Sequence, residues 1–284
     1  MLFEKKIDFG SRKMKAVIER YESARAVVED CRVRPITDPC FTDRSKKTLE
    51  LDWEGVSTYE EALNLLEFGY QPTVEKLKEK MKDLGKIGTQ KRMRIENSVA
   101  GGAPIVPLAM MGLPKSMLET KIKPIKCKVI DVYYDMTCSA GTSPKRIIEN
   151  GQKLLGAIME LETMGYKFNL YAVQGYSDER SVDMLVVKIK SSTQPLDLKR
   201  MSFPLTHTAF FRVIGFDWYS RCPKAKYRSG YGQALAYNLS EKNLGEFAKQ
   251  AFGDNALMFS GTNIMNKDEK HIKEALENFG KRKS

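Results

Sequence analysis

Apolar residues recur along the chain at two periods, and the changes of period divide it into elements. From Ser11 to Glu29, Met14, Val17, Ile18, Tyr21, Ala24 and Val28 follow at mostly three- and four-residue steps. That spacing lines one face of a helix, so an amphipathic helix is expected there. The period is lost between Cys31 and Leu51, where Pro35, Asp38 and Pro39 punctuate an irregular arm. Ser57 followed by Glu60 makes a capping box ahead of Ala62, Leu63 and Leu66, and Gly69 closes that helix. A second helix follows Pro72, with Val74, Leu77, Met81 and Leu84 in step and Gly85 as its stop, so the two form a helical hairpin. "AGGAPIVPLAMMGLP", residues 100–114, breaks regular structure while staying apolar, which reads as a buried connector over one end of the core.

Beyond it the period changes to two. Lys128 to Tyr134 alternates as a strand. Ser143 and Pro144 start a helix whose stripe is Ile147, Gly151, Leu154, Ile158 and Leu161, ending near Gly165. "KFNLYAV" is the next strand, so strand, helix and strand make a right-handed crossover with parallel strands. "VDMLVVKI" follows after too short a link for a helix and should pair antiparallel as a hairpin. After Leu196 the pattern is helical, with a break expected at Pro204; "EKNLGEFAKQAFG" is a helix, "ALMFS" a strand and "DEKHIKEALENFG" a last helix. These elements predict an α/β chain, with an amino-terminal helical arm, helical hairpin and connector over residues 1–120 and an α/β domain over residues 121–284.

Composition changes this picture little. Hydrophobic residues at 42% and charged residues at 29% suit a folded globular chain. No run approaches the roughly 20 apolar residues that span a bilayer, and "MLFEKKIDFGSRKMK" lacks the apolar centre of a secretion signal, so a cytoplasmic protein with no membrane partner is expected. Cys31, Cys40, Cys127, Cys138 and Cys222 are odd in number and show no C-x-x-C spacing, which favours reduced thiols over disulfides or a zinc site. Charge adds more: 47 Lys and Arg against 36 Asp and Glu leave +11, which favours an acidic partner without choosing among nucleic acid, lipid and protein.

The candidate chemistry sits where the first strand of the α/β half ends. Asp135, Thr137 and Ser139 alternate, so in an extended backbone they point the same way. Ligands of open α/β sheets collect at such carboxyl ends, and one carboxylate with two hydroxyls suits Mg²⁺. The competing reading is that Thr137 and Ser139 only turn the chain and cap the helix. D-x-T-x-S at this position, followed by helix, parallel strand and hairpin strand, resembles the von Willebrand factor A family. That resemblance, carried by about residues 126–190, implies a three-layer sheet with helices on both faces and a metal-ion-dependent adhesion site that engages an acidic group of a partner. The family's site also uses a distant Thr and a distant Asp; Thr193, Thr206 and Asp197 are available, and the sequence places none of them.

A second resemblance covers roughly residues 50–235. "LDWEGVSTYEEALNLLEFGY", "VAGGAPIVPLAMMGLP", "SAGTSPKRIIENGQKLLGAIMELETMGYKFNLY" and "PLDLKRMSFPLTHTAFFRVIGF" are similar to a family of unknown function found mainly in phage and prophage genomes. It implies a phage or host protein as partner, in the cytoplasm of a bacterial host.

Enzymatic readings lack their parts. His207 and His271 are the only histidines, and neither G-x-x-x-x-G-K-[ST] nor G-x-G-x-x-G occurs. The expected function is therefore a non-enzymatic protein-interaction module. The alternative is nucleic-acid binding through Lys86, Lys91, Arg92 and Arg94, together with Arg221, Lys224, Lys226, Tyr227 and Arg228, where cations and a tyrosine mix.

Overall fold

A computed structural model describes residues 1–10, 12–37, 45, 47–85, 93–122, 129–178, 180–222, 233–235 and 239–281. Its centre is a mixed sheet in which β1 (Leu2–Asp8), β2 (Lys13–Tyr21), β8 (Ser181–Lys190), β7 (Lys167–Ser177), β6 (Val129–Asp135) and β10 (Ala256–Ser260) lie side by side in that order. A two-residue strand, β9 (Gln233–Ala234), also pairs with β7. β6 and β7 are parallel, β10 is parallel to β6, and β7 and β8 form an antiparallel hairpin.

The helix expected over Ser11–Glu29 is replaced over most of its length by β2. Met14, Ala16 and Ile18 are buried on one face of the sheet and Val17, Glu19 and Tyr21 on the other. A strand covered on both sides carries apolar residues without alternation, and such a run also satisfies a helical spacing. The helix proper, α1 (Ala24–Val33), begins only after Ser23, whose hydroxyl accepts the Ala26 N–H at 3.2 Å. Residues 2–21 thus contribute two strands to the sheet that holds β6.

Two cores result. One face of the sheet, with Ile130, Val132, Tyr134, Phe168 and Leu170, packs under α1, α6 (Pro144–Thr163) and α7 (Leu198–Thr206). The other face, with Ile18, Tyr133, Tyr171, Val173 and Val186, encloses Leu244, Phe247 and Ala248 of α9 (Glu241–Phe252). α9 packs against β10 at one end of the sheet and β1 at the other, where Lys5 Nζ donates to the Ala251 carbonyl at 2.8 Å and the Asp8 N–H to Gln250 Oε1 at 2.9 Å. α9 therefore covers this face from one edge strand of the sheet to the other.

The remaining helices cover the first face. α2 (Leu51–Glu54), α3 (Tyr59–Phe68) and α4 (Gln71–Gly85) pack on α6, α7 and the segment after α7. The α3 cap lies one residue beyond the expected box: Thr58 Oγ1 accepts the Glu61 N–H at 3.1 Å, and Glu61 reaches back to the Ser57 N–H at 2.8 Å. α6 and α7 approach so closely that a Cβ on Gly151 would stand 2.1 Å from the Leu205 carbonyl oxygen. Pro204 sits inside α7, and the break falls at His207, whose backbone is extended; a π-helical turn over Phe210–Gly215 and α8 (Phe216–Arg221) follow. Short α10 (Gly261–Ile264) follows β10, and α11 (Glu269–Lys281) packs on α6.

The connector expected to be buried is an exposed arm. β3 (Met93–Ser98), β4 (Ala103–Pro104), α5 (Val106–Met110) and β5 (Met117–Ile122) make a separate three-stranded sheet in the order β3, β5, β4. Ile95, Val99, Val106, Met110, Met111 and Leu113 are 46–83% exposed there. Its glycines and prolines shape a hairpin tip and not a cover for the core.

Candidate functional site

Asp135 ends β6, between parallel neighbours β7 and β10. The chain leaves β6 through α6 toward β7 and returns to the other side of β6 as β10, so Asp135 stands where strand order changes direction, the customary ligand position of α/β sheets. Here the position is filled from within. Asp135 Oδ1 accepts the Thr137 hydroxyl at 2.7 Å, the Thr137 N–H at 3.2 Å and the Gly175 N–H at 3.2 Å, and Oδ2 lies 2.8 Å from the same hydroxyl. Thr137 Oγ1 is also 3.1 Å from the Gly175 carbonyl. Asp135 has no exposed surface and Thr137 is 2% exposed.

Burial pushes the Asp135 carboxyl up to about 7, and its bonds from Thr137 and Gly175 offset that only in part. The protonated acid can donate to Thr137 Oγ1, freeing that hydroxyl to donate to the Gly175 carbonyl. Ionised Asp135 draws the hydroxyl back and leaves the carbonyl without it. The pair is a proton-dependent internal bond at the strand end.

Ser139 does not join this group: it is exposed in a turn whose carbonyl accepts the Thr142 N–H at 2.9 Å. Thr193, Thr206 and Asp197 are engaged elsewhere. Thr193 bonds to Ser191, Thr206 donates to the Ser202 carbonyl, and Asp197 caps α7 by accepting the Arg200 N–H. Magnesium keeps several waters and needs an open face for them, which Asp135 and Thr137 as placed do not offer, so this donor set does not fit the ion. Among the described residues no three His, Cys, Asp or Glu side chains converge on one point.

Beside this strand end lie residues that the sequence reading passed over. Arg212, on the π-helical turn, is fully buried; Nη1 donates to the Trp53 carbonyl and Nη2 to the Thr142 carbonyl at 2.9 Å, and the guanidinium lies 4.6 Å from the Trp53 ring. Burial pushes its pKa down to about 10. Trp53 Nε1 in turn donates to the Ala140 carbonyl at 3.0 Å, so α2 and the loop carrying Ser139 are tied by one buried cation. Gln174, next to Gly175, donates at 2.8 Å to the Phe211 carbonyl, which also accepts the Phe216 N–H of the π turn, and it packs so tightly on Gly215 that any Cβ there would collide. The signal for both was one polar residue alone in an apolar run, "AFFRVIGF" and "YAVQGY".

Clefts of about 520 and 590 Å³ flank α1 and α3, lined by Arg32, Glu60 and Leu63 among others, and neither includes Asp135, Thr137 or Ser139. His207, at the end of α7, is buried; Nδ1 accepts the Ala209 N–H at 3.2 Å, and burial pushes its pKa down to about 4. It packs on Tyr70 and Phe203 as a neutral core ring. His271 is exposed and bonds to Asp268.

Of the expected nucleic-acid contacts, Arg221 is turned inward: Nε donates to Asp217 Oδ1 at 2.9 Å and Nη1 to the Arg34 carbonyl at 2.7 Å. Arg94 lies on β3. Lys86, Lys91, Arg92, Lys224, Lys226, Tyr227 and Arg228 lie outside the described residues. Among the described residues no helix is long and apolar enough to cross a membrane.

A family model described as a domain of unknown function (DUF7192) matches residues 5–283. No curated protein and no solved structure matches the chain.

Proposed function

We propose, for a chain that belongs to the family of the domain of unknown function DUF7192, that it works by holding another protein and not by catalysis. The observation that carries this reading is the arm. Residues 97–114 contain no charged side chain, and Val99, Val106, Met110, Met111 and Leu113 stand exposed on them. Monomeric soluble proteins seldom leave so contiguous an apolar surface open, and interaction sites are its usual explanation. The inward use of Asp135, Thr137 and His207 agrees with a site that is structural in role. The reading extends to a von Willebrand factor A-type core, whose support is the β6–α6–β7 crossover and the β7–β8 hairpin, and to phage or prophage origin, whose support is the sequence resemblance over roughly residues 50–235.

The test is capture from infected or induced bacterial lysate with nuclease present, using the tagged full chain and a Met110→Lys/Met111→Lys variant. A protein held by the first and lost by the second supports the reading. Equal capture by both overturns the arm as the contact, and partners that vanish with nuclease point instead to the nucleic-acid alternative.

A further inference from the structure

We infer that the cleft between α1 and α3 binds a peptide segment of a partner protein, one that carries an acidic and a basic residue on either side of an apolar stretch. The inference goes beyond the interaction reading, because it makes no use of the arm.

The shape suits a chain. At about 520 Å³ the cleft has the size of a ligand site, and α1, α3, β8 and α7 all contribute to it. Val28, Leu63, Leu66, Ile189 and Pro204 give it an apolar lining. A smaller cleft of about 160 Å³ shares Ile189 and Arg200 with it, and the cleft of about 590 Å³ shares Arg32, Glu60 and Leu63. The site is therefore a trough, with Arg200 at one border and Arg32 and Glu60 at another.

The charges have an order. Arg25, Glu29 and Arg32 of α1 line the cleft at steps of four and three residues, and Glu60, Asn64 and Glu67 of α3 do so at the same steps, so each helix presents one row. Arg25 and Glu67 are joined at 3.6 Å, and Lys188 holds Glu22 at 3.1 Å. Among the described residues the side chains of Glu29, Arg32, Glu60 and Arg200 make no hydrogen bond or ion pair. Glu29 and Arg32, neighbours on α1, cancel in charge, which leaves Glu60 toward one border and Arg200 at the other. A basic residue of the ligand suits the first and an acidic residue the second, with apolar side chains between them on the lining. The Asn64 amide supplies a donor and an acceptor together, the pair that a peptide bond needs.

The residue types select a peptide over nucleic acid. No aromatic ring lines the cleft to stack on a base, and Glu29, Glu60 and Glu67 would repel a phosphate backbone.

The experiment pans the full chain against a displayed library of random peptides about ten residues long, roughly 33 Å when extended, and measures an enriched synthetic peptide by fluorescence anisotropy. Enriched sequences should share an apolar stretch flanked by one acidic and one basic residue. Arg200→Glu and Glu60→Lys, both exposed and checked by thermal melts, should each weaken binding about tenfold, because each sets like charges against one another. Exchanging the peptide's acidic residue for lysine should restore its binding to Arg200→Glu, which a merely misfolded variant would not show. A library that yields no peptide bound at 100 µM or so, or peptides that bind wild type and both variants equally, overturns the inference. Lysate capture that still depends on Met110 and Met111 would, in that case, leave the interaction reading standing.

Discussion

Asp135→Asn should make the protein more stable, and the gain should grow with pH. The folded carboxyl titrates at about 7 against an ordinary 3.8, so the fold favours the neutral acid. Because the folded value is raised, the favourable contribution is complete below about pH 4, is lost as pH climbs between the two values, and stays lost above about 7. Three units at about 1.36 kcal/mol each set a ceiling of about 4 kcal/mol on the penalty at pH 8. Asparagine escapes it while keeping the geometry. Its Oδ1 can accept from the Thr137 and Gly175 N–H groups, and its amide can donate to Thr137 Oγ1, leaving that hydroxyl for the Gly175 carbonyl. Urea unfolding of both proteins at unit steps from pH 4 to 8 should show equal stability at the acid end and a variant more stable by a few kcal/mol at the alkaline end. A gap that does not change with pH, or a variant less stable at pH 8, would refute the reasoning. So would a wild type that millimolar Mg²⁺ stabilises while the variant ignores it, because the carboxylate would then be ionised to hold a cation.

His207 should act in the opposite sense: its folded value of about 4 lies below the ordinary 6.5, so its contribution is present above pH 6.5 and fades as pH falls through 4, by about 3 kcal/mol in all. In the Asp135→Asn background stability should therefore rise from pH 4 to 6.5, and in His207→Asn it should fall from pH 4 to 7; parallel slopes in the two variants would sink both assignments. Lys190→Met should cost about 3–5 kcal/mol, because Glu162, its partner at 2.8 Å, would be left buried and ionised; a loss under 1 kcal/mol in urea melts would show that water reaches the pair. Gly151→Ala should destabilise by about 1–3 kcal/mol although alanine favours helices, since its Cβ meets the Leu205 carbonyl at 2.1 Å; an unchanged melting temperature would mean that α6 and α7 slide apart freely.

Where a single element buries one face, its period in the sequence was enough. α6, with one buried stripe between a serine-proline start and Gly165, lies where the spacing puts it, and so does the antiparallel pairing of β7 with β8. β2 was misread because both its faces are covered, one by α1 and α8 through Tyr21 and Glu19 and the other by the core around α9. Glu19 there is 3% exposed and is held by Arg34 and Trp218. No local spacing reveals a residue 199 positions away that satisfies a buried acid. The arm was misread for the complementary reason: an apolar stretch usually signals burial, and only the pairing of β3 with β5 shows that this one is held out on a hairpin.

The strand end shows the limit most sharply. Alternation correctly implied that Asp135 and Thr137 turn the same way. Which way that is depends on what lies over the carboxyl end of β6, and Gly175 from the next strand decides it. Its N–H and carbonyl stand against Asp135 and Thr137 and convert two outward-looking oxygen donors into a closed bond. Ser139, one alternation further, has passed the end of the ladder and is exposed. A motif of three oxygen donors is thus divided by the length of the strand that carries it. Two are enclosed by the neighbouring strand, and the one beyond its reach is left to solvent.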